Sequence, residues 1–270
     1  MIETGWRRKR MIAAKVFALV PAFLIGLPAQ WLALHLAPSL ARWMPVYFHR
    51  YVLAVLNVRV SVTGAVDPRR PLLITANHLS WLDILVISSL FPVSFIAKSE
   101  VGEWPLFGTL ARLQRSIFVE RQKRGKTGEV SRKIAERLEG GDALVLFAEG
   151  TTSDGTRILP FRSALIGAAQ AANGAAEQGS FVQPLNIAYP RIGGLPTGRV
   201  NHPFIAWYGD MELLPHLSDL LTLPGIDCAV TLPSAEPVSA SGPERKALTK
   251  RLEQTIRLRH TAVLTGRDRA

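Results

Sequence analysis

Cysteine is almost missing from this chain: Cys228 stands alone among 270 residues. A single thiol excludes an internal disulfide, a multi-cysteine zinc site and a Cys-x-x-Cys redox motif, and it fits a reducing compartment. Several chemistry-bearing motifs are missing too. There is no Gly-x-Ser-x-Gly nucleophile elbow, no His-Glu-x-x-His, no Walker A loop and no dinucleotide-type Gly-x-Gly-x-x-Gly. No internal repeat and no Ser/Gly linker divides the chain. Glycine (21) and proline (18) are at ordinary levels, which excludes collagen-like and low-complexity chains. A hydrophobic fraction of 48% is too high for intrinsic disorder. The length suits one domain of ordinary size plus an appendage.

Acidic residues are scarce at both ends. Residues 1–50 hold seven Lys/Arg against one acid, and residues 243–270 hold eight against three. The stretch between them holds 17 of each sign, so the net charge of +11 belongs to the termini. A neutral body with two basic ends suits anionic lipid, nucleic acid or an acidic protein partner, or simply solubility. Nucleic-acid binding would need basic residues interleaved with aromatics on one face. Here the basic residues flank an apolar segment or decorate one terminal helix, so no nucleic-acid partner is expected.

That apolar segment follows Trp6-Arg7-Arg8-Lys9-Arg10 and reaches about Leu40, with Lys15 its only Lys, Arg, Asp or Glu. A signal peptide, a membrane span and an interfacial hairpin all share this composition. The run is long for a signal peptide, and no small-x-small cleavage site follows it. Pro21, Pro28 and Pro38 interrupt a straight span, each removing a helical donor. Basic residues lie on both sides, Arg7 to Arg10 before and Arg42, Arg50 and Arg59 after, which places both ends on the cytoplasmic face. The expected form is two short apolar helices dipping into one leaflet and returning. Residues 1–50 then form the membrane-associating segment and 51–270 the catalytic body.

The body alternates between strand and helix patterns. Val58–Val62, Pro71–Thr75, Val93–Ala97, Ser116–Glu120 and Ala143–Ala148 read as strands, as do Phe181–Ala188, Phe204–Trp207 and Ile226–Thr231. Trp81–Phe91, Pro105–Leu113 and Leu165–Ala172 read as helices. Val130, Ile134 and Leu138 recur every four residues up to Gly140-Gly141, the mark of an amphipathic surface helix. A final helix covers Pro243–Arg259, with Leu248, Leu252 and Ile256 on one face. The alternation predicts an α/β fold with a mixed, mostly parallel sheet flanked by helices.

Within it, Asn77-His78-Leu79-Ser80-Trp81-Leu82-Asp83 follows a strand and opens a helix. Loops after strands are where reacting groups collect in α/β folds. Asp83, five residues beyond His78, can return its carboxylate to the imidazole. A carboxylate on one ring nitrogen sets the tautomer and leaves the other as a general base. The competing interpretation is a His capping a helix and an Asp at its N-terminal dipole. Ser80 is a poor covalent nucleophile, because only a His two residues away is near to activate it. His35, His49, His202, His216 and His260 are scattered without ligand spacing, so they read as structural or surface residues and no metal is expected.

The same block resembles the NHxSxxD motif of the glycerolipid acyltransferase family, typified by 1-acylglycerol-3-phosphate acyltransferase. Lys98-Ser99-Glu100-Val101, Trp104-Pro105-Leu106-Phe107-Gly108 and Ile117-Phe118-Val119-Glu120-Arg121 resemble its second block. Phe147-Ala148-Glu149-Gly150-Thr151-Thr152-Ser153 resembles the third, FPEGTRS, and Val182-Gln183-Pro184-Leu185-Asn186-Ile187 the fourth. The four occur in family order across about residues 57–190. The resemblance implies a membrane-bound lysolipid O-acyltransferase without a covalent enzyme intermediate. His78 deprotonates a lysolipid hydroxyl, as in 1-acylglycerol-3-phosphate, and Asp83 orients it. The alkoxide attacks an acyl carrier protein or coenzyme A thioester, a co-substrate rather than a cofactor. Backbone N–H groups near the helix start are expected to hold the oxyanion.

By the same resemblance Arg121, Glu149, Gly150 and Thr151 contact the acceptor head group, with Lys98 as a second cation. Two positions depart from the pattern. Ala148 replaces the Pro of the third block, and Thr152 replaces its Arg. Arg reads phosphate through a rigid fork of donors that Thr lacks. A phosphate acceptor then depends on Arg121, Lys98 or the nearby Arg157. The alternative acceptor is a lyso-ornithine lipid: GTTSDGTRILPF and Ala206-Trp207-Tyr208-Gly209-Asp210-Met211 resemble bacterial enzymes that acylate it, and Asp154 or Asp210 would meet its amine. Two other classes compete: a non-enzymatic membrane-docked lipid-binding protein, and a hydrolase in which His78 activates water. The expected partners are the lysolipid, the thioester donor and anionic lipids. The expected location is the cytoplasmic face of a bacterial inner membrane.

Overall fold

The structure is a computed structural model and describes residues 5–119, 127–163, 166–167, 179–238 and 244–267. It opens with two helices, α1 (Gly5–Leu36) and α2 (Pro38–Leu56), joined by Ala37 alone. They form an antiparallel hairpin. Tyr51 donates its hydroxyl to the Ala18 carbonyl (2.6 Å), Gln30 Nε2 donates to Ala41 O (2.9 Å), and Phe23 meets Phe48 edge to face. Pro38 sits in the first turn of α2, where its missing N–H costs nothing.

The hairpin return agrees with the sequence reading, but its first arm is not short. The 32 residues of α1 run unbroken through Pro21 and Pro28. The two prolines are seven residues apart, so they share the exposed face with Phe17, Leu24 and Leu36. Each removes a donor there without disturbing the side packed on α2. α1 is long and apolar enough to cross a membrane, and none of its most apolar stretch is buried. On α2, Leu40, Trp43, Tyr47 and Tyr51 continue the exposed apolar face. α2 also runs past residue 50 to Leu56 and packs on the catalytic body through Leu53 and Leu56.

The sheet comprises β1 (Val58–Gly64), β2 (Leu72–Ala76), β3 (Ser94–Lys98), β4 (Ile117–Val119), β5 (Ala143–Phe147), β6 (Ser180–Ile192), β7 (Leu195–Pro196), β8 (Ile226–Leu232) and β9 (Glu236–Val238). Its order is β1-β8-β6-β2-β5-β3-β4. β8 and the short β7 and β9 run antiparallel to β6, and the other pairings are parallel. This is the mixed, mostly parallel sheet the alternation predicts.

β2 and β5 are buried along their whole length, as expected of central parallel strands. Leu72, Ile74 and Ala76 face α2 and α3 (Leu82–Leu90). Leu73 faces α5 (Thr127–Glu139) through Ile134 and Leu138, and the C-terminal helix α7 (Glu244–Leu264) through Leu248 and Leu252. The period of two along one strand thus builds a three-layer body. Helix α4 (Phe107–Leu113) lies against α1, and α6 (Leu213–Leu221) closes the far side of the hairpin.

One expected strand is absent. Phe204–Trp207 is a one-turn 3-10 helix from His202 running into coil, with Pro203 in its first turn. Ile205 and Ala206 are fully buried there, and short apolar runs do not distinguish a buried turn from a strand. The strand at 116–120 is seen over Ile117–Val119. Of the helix expected over 165–172 only residues 166–167 are described, and Arg121 lies outside the described residues.

Candidate active site

The carboxyl ends of β2 and β5 lie side by side, since Ala76 pairs with Phe147. The chain leaves β2 into Asn77, whose side chain extends the ladder to β6. Asn77 Nδ2 donates to Ile187 O, and Ile187 N donates to Asn77 Oδ1, both at 2.8 Å. His78 therefore begins from a fixed backbone. Its ring stacks on Phe147 with centroids 3.8 Å apart and planes 12° from parallel.

Asp83, in the first turn of α3, is fully buried and accepts four hydrogen bonds. Its Oδ2 takes His78 Nδ1 (2.8 Å), Leu79 N (2.8 Å) and Ser80 N (2.9 Å). Its Oδ1 takes the Tyr189 hydroxyl (2.8 Å). Burial, with Asp83 beside it, pushes the Tyr189 phenol well above its ordinary range, so it remains a donor. The carboxylate accepts from every side, so the neutral His78 ring carries its hydrogen on Nδ1 and its Nε2 is the acceptor. An imidazole in that tautomer can take a proton at Nε2. The His–Asp pairing read from the spacing is thus formed in space, and the bare capping alternative does not account for the Nδ1 contact.

Glu149 takes a different place from the expected one. It is 2% exposed, and its two oxygens accept from His78 N and Leu159 N, each at 2.7 Å. In this geometry its carboxylate ties the His78 loop to the 150–160 loop instead of facing an acceptor. The oxyanion donors expected at the helix start are also engaged. The N–H groups of His78, Leu79, Ser80 and Leu82 go to Glu149, Asp83, Asp83 and Ser80 Oγ respectively. Ser80 itself is fully buried, which removes it as a nucleophile.

Of the remaining sequence-derived residues, Gly150 turns the chain after β5 with φ +77°. Thr151 is exposed and Thr152 half-buried. Lys98 is exposed at the end of β3, two strands from β2. Arg157 is exposed beside Asp154. The structure thus gathers His78, Asp83 and Glu149 and leaves Lys98 apart from them. Tyr189 and Phe147 were not found by sequence reasoning. Tyr189 sits in an apolar strand 106 residues from its partner, with no local signal to mark it.

Burial pushes the Glu149 carboxyl up to about 7, against the N–H bonds from His78 and Leu159 that pull it down. In the unfolded chain the group titrates near 4.5. Its contribution to stability is therefore complete below pH 4.5 and lost as pH rises through about 7. Melting of the detergent-solubilised protein between pH 5 and 8 checks this. Glu149→Gln should flatten the slope relative to the native chain. Gln offers one acceptor oxygen to two N–H donors, so it should also cost about 1–3 kcal/mol. Equal slopes in both proteins would show that the carboxyl does not titrate there.

A family model described as Acyltransferase matches residues 57–188, which span β2, the His–Asp pair and β5. The chain is 47% identical over 257 residues to the lyso-ornithine lipid O-acyltransferase of Brucella abortus (strain 2308), covering 94% of this chain and 95% of that one. The chain belongs to the acyltransferase family. It is also 44% identical to the lyso-ornithine lipid O-acyltransferase of Rhizobium meliloti (strain 1021), across 93% of this chain and 86% of that one. Identity to the 1-acyl-sn-glycerol-3-phosphate acyltransferase of Neisseria meningitidis serogroup B (strain ATCC BAA-335 / MC58) is 31%, across 77% of each. The fold is that of the crystal structure of the 1-acyl-sn-glycerophosphate acyltransferase from Thermotoga maritima, with a TM-score of 0.65, 20% identity and 98% of both chains covered. This acyltransferase is thus an enzyme with an apolar N-terminal helical hairpin, and the non-enzymatic alternative is set aside.

Proposed function

We propose that this enzyme acylates lyso-ornithine lipid at the cytoplasmic face of a bacterial inner membrane, using the thioester of acyl carrier protein or coenzyme A. The observation that carries the chemistry is the His78 Nδ1–Asp83 contact, which in the neutral ring makes Nε2 the base. His78 Nε2 takes the proton of the acceptor hydroxyl while its oxygen attacks the thioester carbonyl. That attack forms the new C–O bond, and the tetrahedral adduct then collapses as its oxyanion re-forms the C=O bond and the C–S bond breaks. The leaving thiolate then takes the proton from the imidazolium. Asp83 holds the ring and offsets its positive charge between those two events.

An apolar cavity of about 380 Å³ supports a lipid substrate. It lies between the hairpin and the body, lined by Phe23, Phe48, Trp81, Leu85, Leu110 and Leu217 among others. Trp81 and Leu85 come from the start of α3, the helix that carries Asp83. The exposed apolar face of α1 and α2 would rest in the leaflet, with Arg7 to Arg10 beside anionic lipid on the cytoplasmic side. The same positive ends suit an acidic acyl carrier protein or an anionic coenzyme A thioester.

Two observations support the ornithine acceptor. The relatives at 47% and 44% identity carry that name, and Thr152 stands where a phosphate-binding Arg would be expected. The 31% identical relative supports a second reading, with 1-acylglycerol-3-phosphate as acceptor. A membrane assay with labelled thioester and both acceptors side by side separates them. The expected product is ornithine lipid. Phosphatidic acid alone would remove the ornithine assignment.

A further inference from the structure

We propose that a polar cleft beside the His78 loop is the head-group subsite and takes an amino-acid zwitterion. Arg157 and Arg199 would receive its carboxylate, and Asp154 its ammonium. The proposal rests on the O-acyltransfer reading above and names the residues that would select its acceptor.

The cleft has a volume of about 380 Å³, within the range of small-molecule sites. One wall is the 154–157 loop and the other the segment 199–208. Both walls hang on consecutive residues of the active-site motif. Ser153 N donates to His78 O at 2.9 Å, and Trp207 N donates to Leu79 O at 2.8 Å. The walls also lock together at Gly155, which has φ +74°. A side chain there would lie 2.8 Å from His202 Nδ1 and 3.1 Å from Leu79 Cδ1. His260 Nε2 holds the Gly155 carbonyl at 2.9 Å from beneath. A ligand in this cleft is therefore placed by the backbone that places the base.

Its charges are arranged for a ligand carrying both signs. Arg157 and Arg199 are exposed, and among the described residues no hydrogen bond or ion pair engages either guanidinium. Asp154 uses Oδ1 for Thr156 N (2.9 Å) and Thr156 Oγ1 (2.8 Å), which fixes the carboxylate and leaves Oδ2 for a cation. Burial pushes this carboxyl up, but the Thr156 bonds and the charges of Arg157 and His202 outweigh it and hold it below its ordinary range. A phosphate monoester would meet the two guanidiniums but also face this carboxylate, a repulsive contact. An ornithine-type head group pairs its carboxylate with the arginines and its ammonium with Asp154.

The test uses the full chain in lipid–detergent micelles with a labelled thioester and both acceptors. The variants are Asp154→Asn, Arg157→Gln, Arg199→Gln and Arg199→Lys. The amide introduced by Asp154→Asn keeps the oxygen that Thr156 uses, so melting temperatures should stay close to the native value. Asp154→Asn and the two Arg→Gln changes should each raise KM for lyso-ornithine lipid on the order of 10-fold, as expected for one lost charged hydrogen bond. The value of kcat should change little, and Arg199→Lys should restore part of the affinity. Asp154→Asn should also narrow the preference over 1-acylglycerol-3-phosphate. A native KM in the Asp154 and Arg199 variants, with lyso-ornithine lipid turned over normally, would overturn the subsite and leave the activity standing. An increase of KM for the phosphate acceptor alone would make the cleft a phosphate site and overturn the zwitterion. Native protein that acylates neither acceptor would overturn both the subsite and the acyltransfer reading beneath it.

Discussion

Replacing His78 by alanine should lower kcat/KM for acyl transfer by about 10²–10⁴-fold, the usual contribution of a positioned general base. The loss should fall mainly on kcat, because the imidazole acts on the acceptor hydroxyl chiefly as that proton moves in the transition state. Two features make the variant informative. Asn77 anchors the backbone at this position to β6 through two hydrogen bonds that the substitution does not touch. The His78 backbone N–H also remains bound to Glu149. The loop should therefore keep its course, and the melting temperature should fall by what the lost stack on Phe147 and the lost Nδ1 bond to Asp83 contribute. A labelled-thioester assay measures the rate, and far-UV circular dichroism with thermal melting follows the fold. Turnover within a few-fold of the native enzyme would mean that another group takes the proton.

Asp83→Asn should cost on the order of 10²–10³ in kcat, less than the loss seen when a triad carboxylate-to-amide change inverts the histidine tautomer. The difference follows from the hydrogen bonds. Leu79 N and Ser80 N both point at the Oδ2 position, so an amide must place its oxygen there and not its NH2 group. That oxygen still accepts from His78 Nδ1, and Nε2 remains the acceptor. The amide nitrogen then faces Tyr189, whose hydroxyl can turn to accept. What disappears is the negative charge that steadies the imidazolium. Asp83→Ala is the harsher change. It strands Leu79 N, Ser80 N and the Tyr189 hydroxyl in a fully buried place, at about 1–3 kcal/mol each. It should unfold at markedly lower temperature, while Asp83→Asn should stay near native. Equal melting temperatures for the two variants would contradict the four-donor arrangement around Asp83.

Particular residues show where the sequence was legible. β2 and β5 were readable because five consecutive buried residues between turn signals mean a central strand. The spacing of four between Leu248, Leu252 and Ile256 named a buried helix face, and His260 continues it one turn later. The prolines of α1 misled, because a proline on an outward helix face removes a donor without ending the helix. Phe204–Trp207 misled for a different reason: burial makes an apolar run, and burial is shared by strands and turns.

The sequence by itself determined the layered α/β class, the apolar N-terminal end, the order of the four motifs and a spacing that allows His78 to meet Asp83. All of these rest on local periodicity or on residues within one loop, which a linear text preserves. Only the tertiary structure decided which donors surround Asp83, why Glu149 is buried, and that Asp154, Arg157 and Arg199 share one cleft. These depend on directional hydrogen bonds and charges between segments far apart in the chain. Tyr189 reaches Asp83 across 106 residues, and Trp207 binds the carbonyl of Leu79. Such contacts arise when the sheet closes its strand order and brings the loops at its carboxyl edge together, which no periodicity in the sequence records.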